Sequence, residues 1–127
     1  MYVKRTLLIR LSDVPDIIRS KTGCQNYENT LDAFFTDTEM LYCARKLRRL
    51  APRLLIKECI FDYLENQAGY IQRNYSEIEI INDELRKPII RLLDGMSKCV
   101  NSLNIKDILI SISHSRNWIT AMVVFCY

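Results

Sequence analysis

Nowhere in its 127 residues does the sequence carry a C-x-x-C pair, and it holds a single histidine. Zinc sites need several thiolate or imidazole ligands at short spacing, so these two absences argue against one. No run of eighteen apolar residues occurs, so no membrane span is expected. The start "MYVKRTLLIRLSD" is basic, but its apolar stretch is too short and too interrupted for a secretory leader, which leaves a cytoplasmic protein. No G-x-S-x-G elbow accompanies the serines at 111, 113 and 115, so the chemistry of a serine hydrolase has no scaffold here. Repeats, linkers and low-complexity segments are missing as well.

What remains is the balance of one globular domain: 49% apolar residues, 26% charged and a net charge of +3. The five cysteines are odd in number and are read as free thiols in a reducing compartment. Charge is unevenly spread. Arg45, Lys46, Arg48, Arg49, Arg53 and Lys57 follow one another with no acid among them. Such a run can face phosphates or an acidic protein surface, or it can be a solvated helix end. Few aromatics interleave with it, which counts against a surface that stacks nucleic-acid bases.

Residues 5–11 read as a short strand and 12–21 as a helix, with Ser12 or Asp13 as cap, Pro15 in the first turn and Gly23 at the end. Residues 24–35 read as loop and a short helical turn. Thr36 and Glu39 have capping-box spacing, which predicts a helix over 36–50. Pro52 then restarts the chain as a helix to Leu64. Strands are expected over 76–83, 87–94, 106–114 and 118–127, with a short helix or turn at 95–104 and a hairpin at "HSRN". The order predicts an α+β domain, helices packed on a largely antiparallel sheet.

Three places stand out for chemistry. Asp13 lies where a strand gives way to a helix, at an edge a ligand can reach. Glu58 and Asp62 share a helical face, and their carboxylates repel unless a cation lies between them or water reaches both. Asp13 with Glu58 would suit magnesium, which takes one or two carboxylates and fills its shell with water and phosphate oxygens. His114 closes the strand "ILISIS" at the mouth of the hairpin, as a structural or ligand-contacting residue.

Five segments in order resemble the holo-acyl-carrier-protein synthases, the 4′-phosphopantetheinyl transferases. "DVPDIIR" (13–19) is similar to their D-I-V-E-I-x-R, and "FTDTEMLYC" (35–43) to F-T-x-x-E-x-x-Y-C. "PRLLIKECI" (52–60) resembles R-F-A-A-K-E-A. "EIEIINDELRKPIIRL" (77–92) resembles D-I-E-V-V-N-D-E-x-G-x-P, and the ending from Ile108 resembles I-x-V-S-L-S-H-T-x-x-Y-A-x-A-x-V. The resemblance implies transfer of phosphopantetheine from coenzyme A to a serine of an acyl carrier protein, with release of 3′,5′-ADP. It implies magnesium held by Asp13 and Glu58, and Glu58 as base, directly or through a water. Arg53, Lys57, Pro88, Ser113, His114 and Ser115 fall on its coenzyme A positions, and Arg19 on a basic position that receives the carrier. It also implies a homotrimer with sites between subunits, and no nucleic-acid or membrane partner.

This sequence departs from the family pattern near those positions. Asp62 replaces a lysine that reaches coenzyme A phosphates, so affinity should fall severely unless Asp62 turns away or helps bind the metal. Ala33 replaces an arginine, Ser12 a small hydrophobic or threonine residue, and Leu55 and Ile56 two alanines. Arg86 replaces a glycine at a turn suited to positive φ. An active transferase with an altered pocket and a non-catalytic homologue that still binds a carrier are both consistent with this pattern.

Overall fold

The computed structural model describes residues 1–127. Strand β1 (Tyr2–Arg10) leads through a tight turn at Leu11–Asp13 into helix α1 (Val14–Thr22). Gly23 ends α1 in the left-handed region, φ 71°, and its N–H reaches the Arg19 carbonyl at 2.7 Å. That conformation is cheap only without a Cβ. Asp13 occupies the N-cap position, but its carboxylate caps nothing.

Helix α2 (Asp37–Tyr42) begins at the expected capping box. Thr36 accepts from the Glu39 N–H, and Glu39 accepts from the Thr36 N–H at 2.9 Å. The expected single helix over 36–50 is in fact broken. Ala44 and Arg45 adopt φ of 50° and 54°, and helix α3 (Leu47–Ala68) starts five residues before Pro52. Neither residue at the break is a glycine or an asparagine, so nothing local marks it. Pro52 sits inside α3, where it removes one helical N–H without ending the helix.

Hairpin β2 (Ile78–Asn82) and β3 (Pro88–Leu92) pair antiparallel, followed by helix α4 (Asp94–Ser102). Strands β4 (Asp107–His114) and β5 (Trp118–Cys126) form the expected hairpin across 115–117. β5 is the centre of a three-stranded antiparallel sheet in the order β1-β5-β4. Nine residues of β1 pair with β5, which is why β1 begins at Tyr2 rather than at residue 5. Two antiparallel sheets thus replace the one expected.

β5 alternates cleanly. Ile119, Ala121, Val123 and Phe125 are buried under α3, whose Leu50, Leu54, Ile60 and Leu64 are fully buried. The other face of the sheet is uncovered: Leu8 and Leu109 are exposed beside half-buried Met122 and Val124. All five cysteines are free, with Cys43 and Cys59 buried. Burial pushes the Cys59 thiol up to about 11, so it stays protonated and inert at neutral pH.

Candidate active site

The charges of α3 fall on two stripes with different fates. Arg53 and Lys57, one turn apart, are 5% and 0% exposed. A cation survives such burial only with its donors satisfied. The Lys57 ammonium donates to Glu39 Oε1 at 2.6 Å, to the Phe34 carbonyl at 2.8 Å and to the Tyr75 carbonyl at 3.0 Å. Glu39, itself fully buried, takes the Ile80 N–H on its other oxygen at 3.0 Å. Burial pulls the Lys57 pKa below the ordinary lysine range, against the pull of Glu39. All three Lys57 donors are spent inside the fold, so the expected contact of Lys57 with coenzyme A is corrected: none is left for a phosphate.

Arg53 is similarly committed. It donates to the Ile80 carbonyl at 3.0 Å, the Arg49 carbonyl at 2.9 Å and Asn82 Oδ1 at 2.8 Å. The Asn82 amide donates in turn to the Arg86 carbonyl at 2.9 Å. Asp83 Oδ1 accepts from the N–H groups of Leu85 and Lys87, both at 2.9 Å. This network joins α3 to the tip of the β2–β3 hairpin and holds Arg86 at φ 63°, the positive φ its glycine-like position suggested.

α3 and the hairpin enclose a cleft of about 840 Å³. Arg48, Arg49, Arg53, Arg86 and Lys87 line it, and no acid does. Arg48, Arg49, Arg86 and Lys87 have no ion-pair partner in the chain. Four unpaired cations converging on one hollow make a site for a multiply charged anion. Pro88 and His114 line the cleft, with Tyr42 at another wall. Ser113 and Ser115 do not; the serine facing the cleft is Ser111.

The second stripe of α3 is wet. Glu58, with its side chain 16% exposed, accepts on Oε2 from Lys21 of α1 at 3.1 Å and from Arg73 at 2.7 Å. Its Oε1 accepts from the Tyr75 hydroxyl. Burial, then the Glu58 carboxylate, raises the Tyr75 pKa, so the phenol stays a donor. Arg73 also donates to Asp62 at 2.6 Å and to both oxygens of Glu65 at 2.9 Å. Hydrogen bonding to Glu65, and then to Asp62, lifts the Arg73 pKa above the ordinary arginine value. The cation demanded between Glu58 and Asp62 is therefore a guanidinium, supplied from beyond the end of α3.

Asp13 is exposed and makes no ion pair. It shares no partner with Glu58, and no three His, Cys, Asp or Glu side chains are placed to hold a metal ion together. Neither carboxylate lines the basic cleft. Arg19 is engaged within α1 and its loop, with Asp16 at 2.8 Å and the Gln25 carbonyl at 2.8 Å, and it lies over the Tyr27 ring. The residues not anticipated are Arg73, Tyr75 and Lys21 around Glu58, and Lys87 in the cleft. Arg48 and Arg49 belonged to the flagged basic run. Arg73 lies eleven residues past Asp62 with no periodic relation to it, so only the folded chain pairs them.

No family model matches the chain. Its sequence is 32% identical over 114 residues to a holo-[acyl-carrier-protein] synthase of Dehalococcoides mccartyi (strain CBDB1), covering 89% of this chain and 93% of that protein. It is 34% identical over 110 residues to a holo-[acyl-carrier-protein] synthase of Clostridium botulinum (strain Alaska E43 / Type E3), covering 83% and 85%. In fold it resembles the Chronobacterium ammoniagenes ACPS solved as a CoA complex, with a TM-score of 0.76 over 100% of this chain and 98% of that one, at 20% identity. The Helicobacter pylori holo-[acyl-carrier-protein] synthase solved in complex with coenzyme A gives a TM-score of 0.73 over 97% and 99%, at 19% identity. At these identities the structural likeness speaks for the fold, and the sequence relatives speak for the family.

Proposed function

This chain belongs to the holo-[acyl-carrier-protein] synthase family of enzymes, and on that premise we propose that it moves 4′-phosphopantetheine from coenzyme A to a serine of an apo acyl carrier protein. The observation that carries the reading is the basic cleft, whose four unpaired cations suit the phosphates of coenzyme A. Arg48, Arg49, Arg86 and Lys87 bind those phosphates. Arg53 works from behind them, holding helix and hairpin at a fixed separation. Pro88 and His114 give the cleft its wall for the nucleotide.

In the transfer, the carrier's serine oxygen forms a bond to the β-phosphorus while the bond to the 3′,5′-ADP oxygen breaks. The serine proton goes to Glu58, directly or through one water. The donor chemistry at Glu58 and Asp13 suits magnesium: both are carboxylates and Asp13 is free of ion pairs, while Glu58 holds Lys21 and Arg73, with which the ion would have to compete. Bound by those two residues, the ion would offset charge developing on the leaving group. Carrier docking uses the α1 side, where Arg19 is exposed in part and bound to Asp16.

A homotrimer is part of the same reading. Carboxylates and basic cleft are separate within one chain, and the bare sheet face with Leu8, Leu109, Met122 and Val124 gives copies a surface to meet on. Five free thiols suit the reducing cytoplasm. No helix is long and apolar enough to cross a membrane. The test is an intact-mass assay with magnesium, coenzyme A and a panel of apo carriers. One carrier is expected to gain a phosphopantetheine. No gain on any, beside a working transferase, would favour the second reading, a carrier-binding homologue without transfer, to which the acid at position 62 and the engaged Glu58 point.

Arg86 separates stability from binding. Its left-handed backbone costs an L-residue about 1–2 kcal/mol that glycine avoids, less the entropy glycine loses on folding. Arg86→Gly is expected to raise unfolding stability by about 1 kcal/mol while weakening coenzyme A binding about tenfold. Urea midpoints and a coenzyme A titration read the two effects. Binding unchanged in this variant would take Arg86 out of the phosphate site.

A further inference from the structure

Arg73 belongs to neither an aligned motif nor a regular element, yet it makes more ionic contacts than any other side chain in the molecule. Its guanidinium lies over the Phe61 ring and is 25% exposed. Nη1 is on Glu58, Nη2 bridges Asp62 and Glu65, and Nε is on Glu65. One planar fork thus ties three successive acids of α3 to the segment that leads into Tyr75. Lys21 and Tyr75 complete the shell of Glu58, so both oxygens of that carboxylate are taken.

We propose that Arg73 is a positioning residue that serves as the resident cation of Glu58 and competes with the divalent ion for that carboxylate. The inference rests on the reading of Glu58 as a metal ligand. Two cations bound to one oxygen leave little negative potential for a third, and a divalent ion must displace at least the nearer, Arg73 at 2.7 Å against 3.1 Å for Lys21, from Oε2 before it can bind. Asp62 and Glu65 are what makes this displacement workable. They retain the guanidinium through Nη2 and Nε when Nη1 lets go, so Arg73 swings aside without being cast into solvent. Asp62, the charge reversal that argued for lost binding, thereby becomes the anchor of the displaced arginine. Tyr75 stays on Oε1 throughout and keeps the carboxylate aimed, its own backbone being held by Lys57.

The experiment uses the full chain and manganese(II) alone, with free ion read by electron paramagnetic resonance. Wild type is compared with Arg73→Gln, Arg73→Lys and the double variant Arg73→Gln/Glu58→Gln, each checked for folding by circular dichroism. Arg73→Gln is expected to bind manganese on the order of tenfold or more tightly than wild type. Arg73→Lys, which keeps the charge, is expected to return most of the way to wild type. The double variant is expected to lose the gain. Equal affinity in wild type and Arg73→Gln overturns the competition while leaving Glu58 a ligand. A gain that survives Glu58→Gln overturns it too, because the ion then sits on Asp62 and Glu65. No saturable binding to any variant removes the metal reading of Glu58, and the inference falls with it.

Discussion

Glu58→Gln is expected to yield a folded protein whose phosphopantetheine transfer is slower by about 10²- to 10⁴-fold, the usual worth of a positioned general base. The substitution keeps the side chain's shape and an oxygen to accept from Tyr75, removes the charge and the basic site, and turns an amide NH2 toward the donors of Lys21 and Arg73. Its stability cost should be modest, about 1–2 kcal/mol. The Glu58 contacts with Lys21 and Arg73 are partly buried, so their loss exceeds that of exposed ion pairs, about 0–1 kcal/mol, while Arg73 keeps Asp62 and Glu65. The measurement is the initial rate of carrier mass gain at saturating coenzyme A, beside a thermal melt. A rate within about twofold of wild type would strike Glu58 from the chemistry. A slow variant that also melts early would show an architectural role instead.

Lys57→Ala should act on the fold itself. It leaves the Glu39 carboxylate buried and uncompensated, together with the bare carbonyls of Phe34 and Tyr75. Removing one partner of a buried pair costs about 3–5 kcal/mol, against a total of about 5–15 kcal/mol for a domain. Equilibrium urea unfolding is expected to show most of the stability gone. Lys57→Met/Glu39→Gln should recover part of it, since the neutral amide can still accept from the Ile80 N–H. A single Lys57→Ala variant within about 1 kcal/mol of wild type would contradict the burial argument. Activity in the surviving folded fraction should fall as well, because Lys57 holds the backbone of Tyr75 and Tyr75 holds Glu58.

These two neighbours on α3 show where local reading works and where it stops. The sequence quite properly marks residues 57 and 58 as a charged pair in an apolar helix. It does not say that one faces the interior and the other the solvent edge. That division depends on the rotation of α3 against β5 and on Glu39 arriving from a separate helix. The same limit explains the helix break at Ala44 and Arg45. Their left-handed backbone separates α2, which packs on β2, from α3, and no residue with a preference for it stands there.

By itself the sequence determined the α+β class, the capping box at Thr36, the glycine stop at Gly23, the β4–β5 hairpin and the family, because each rests on local spacing or on motifs in order. It also marked the basic run of which Arg48, Arg49 and Arg53 line the cleft, and the positive φ at Arg86. Tertiary structure alone decided that Lys57 is internal, that Ser111 rather than Ser113 faces the cleft, and that Arg73 answers the acids at 58, 62 and 65. Those outcomes are set by contacts between separate segments of the chain, where Coulomb attraction and burial act through space and leave no period along the sequence.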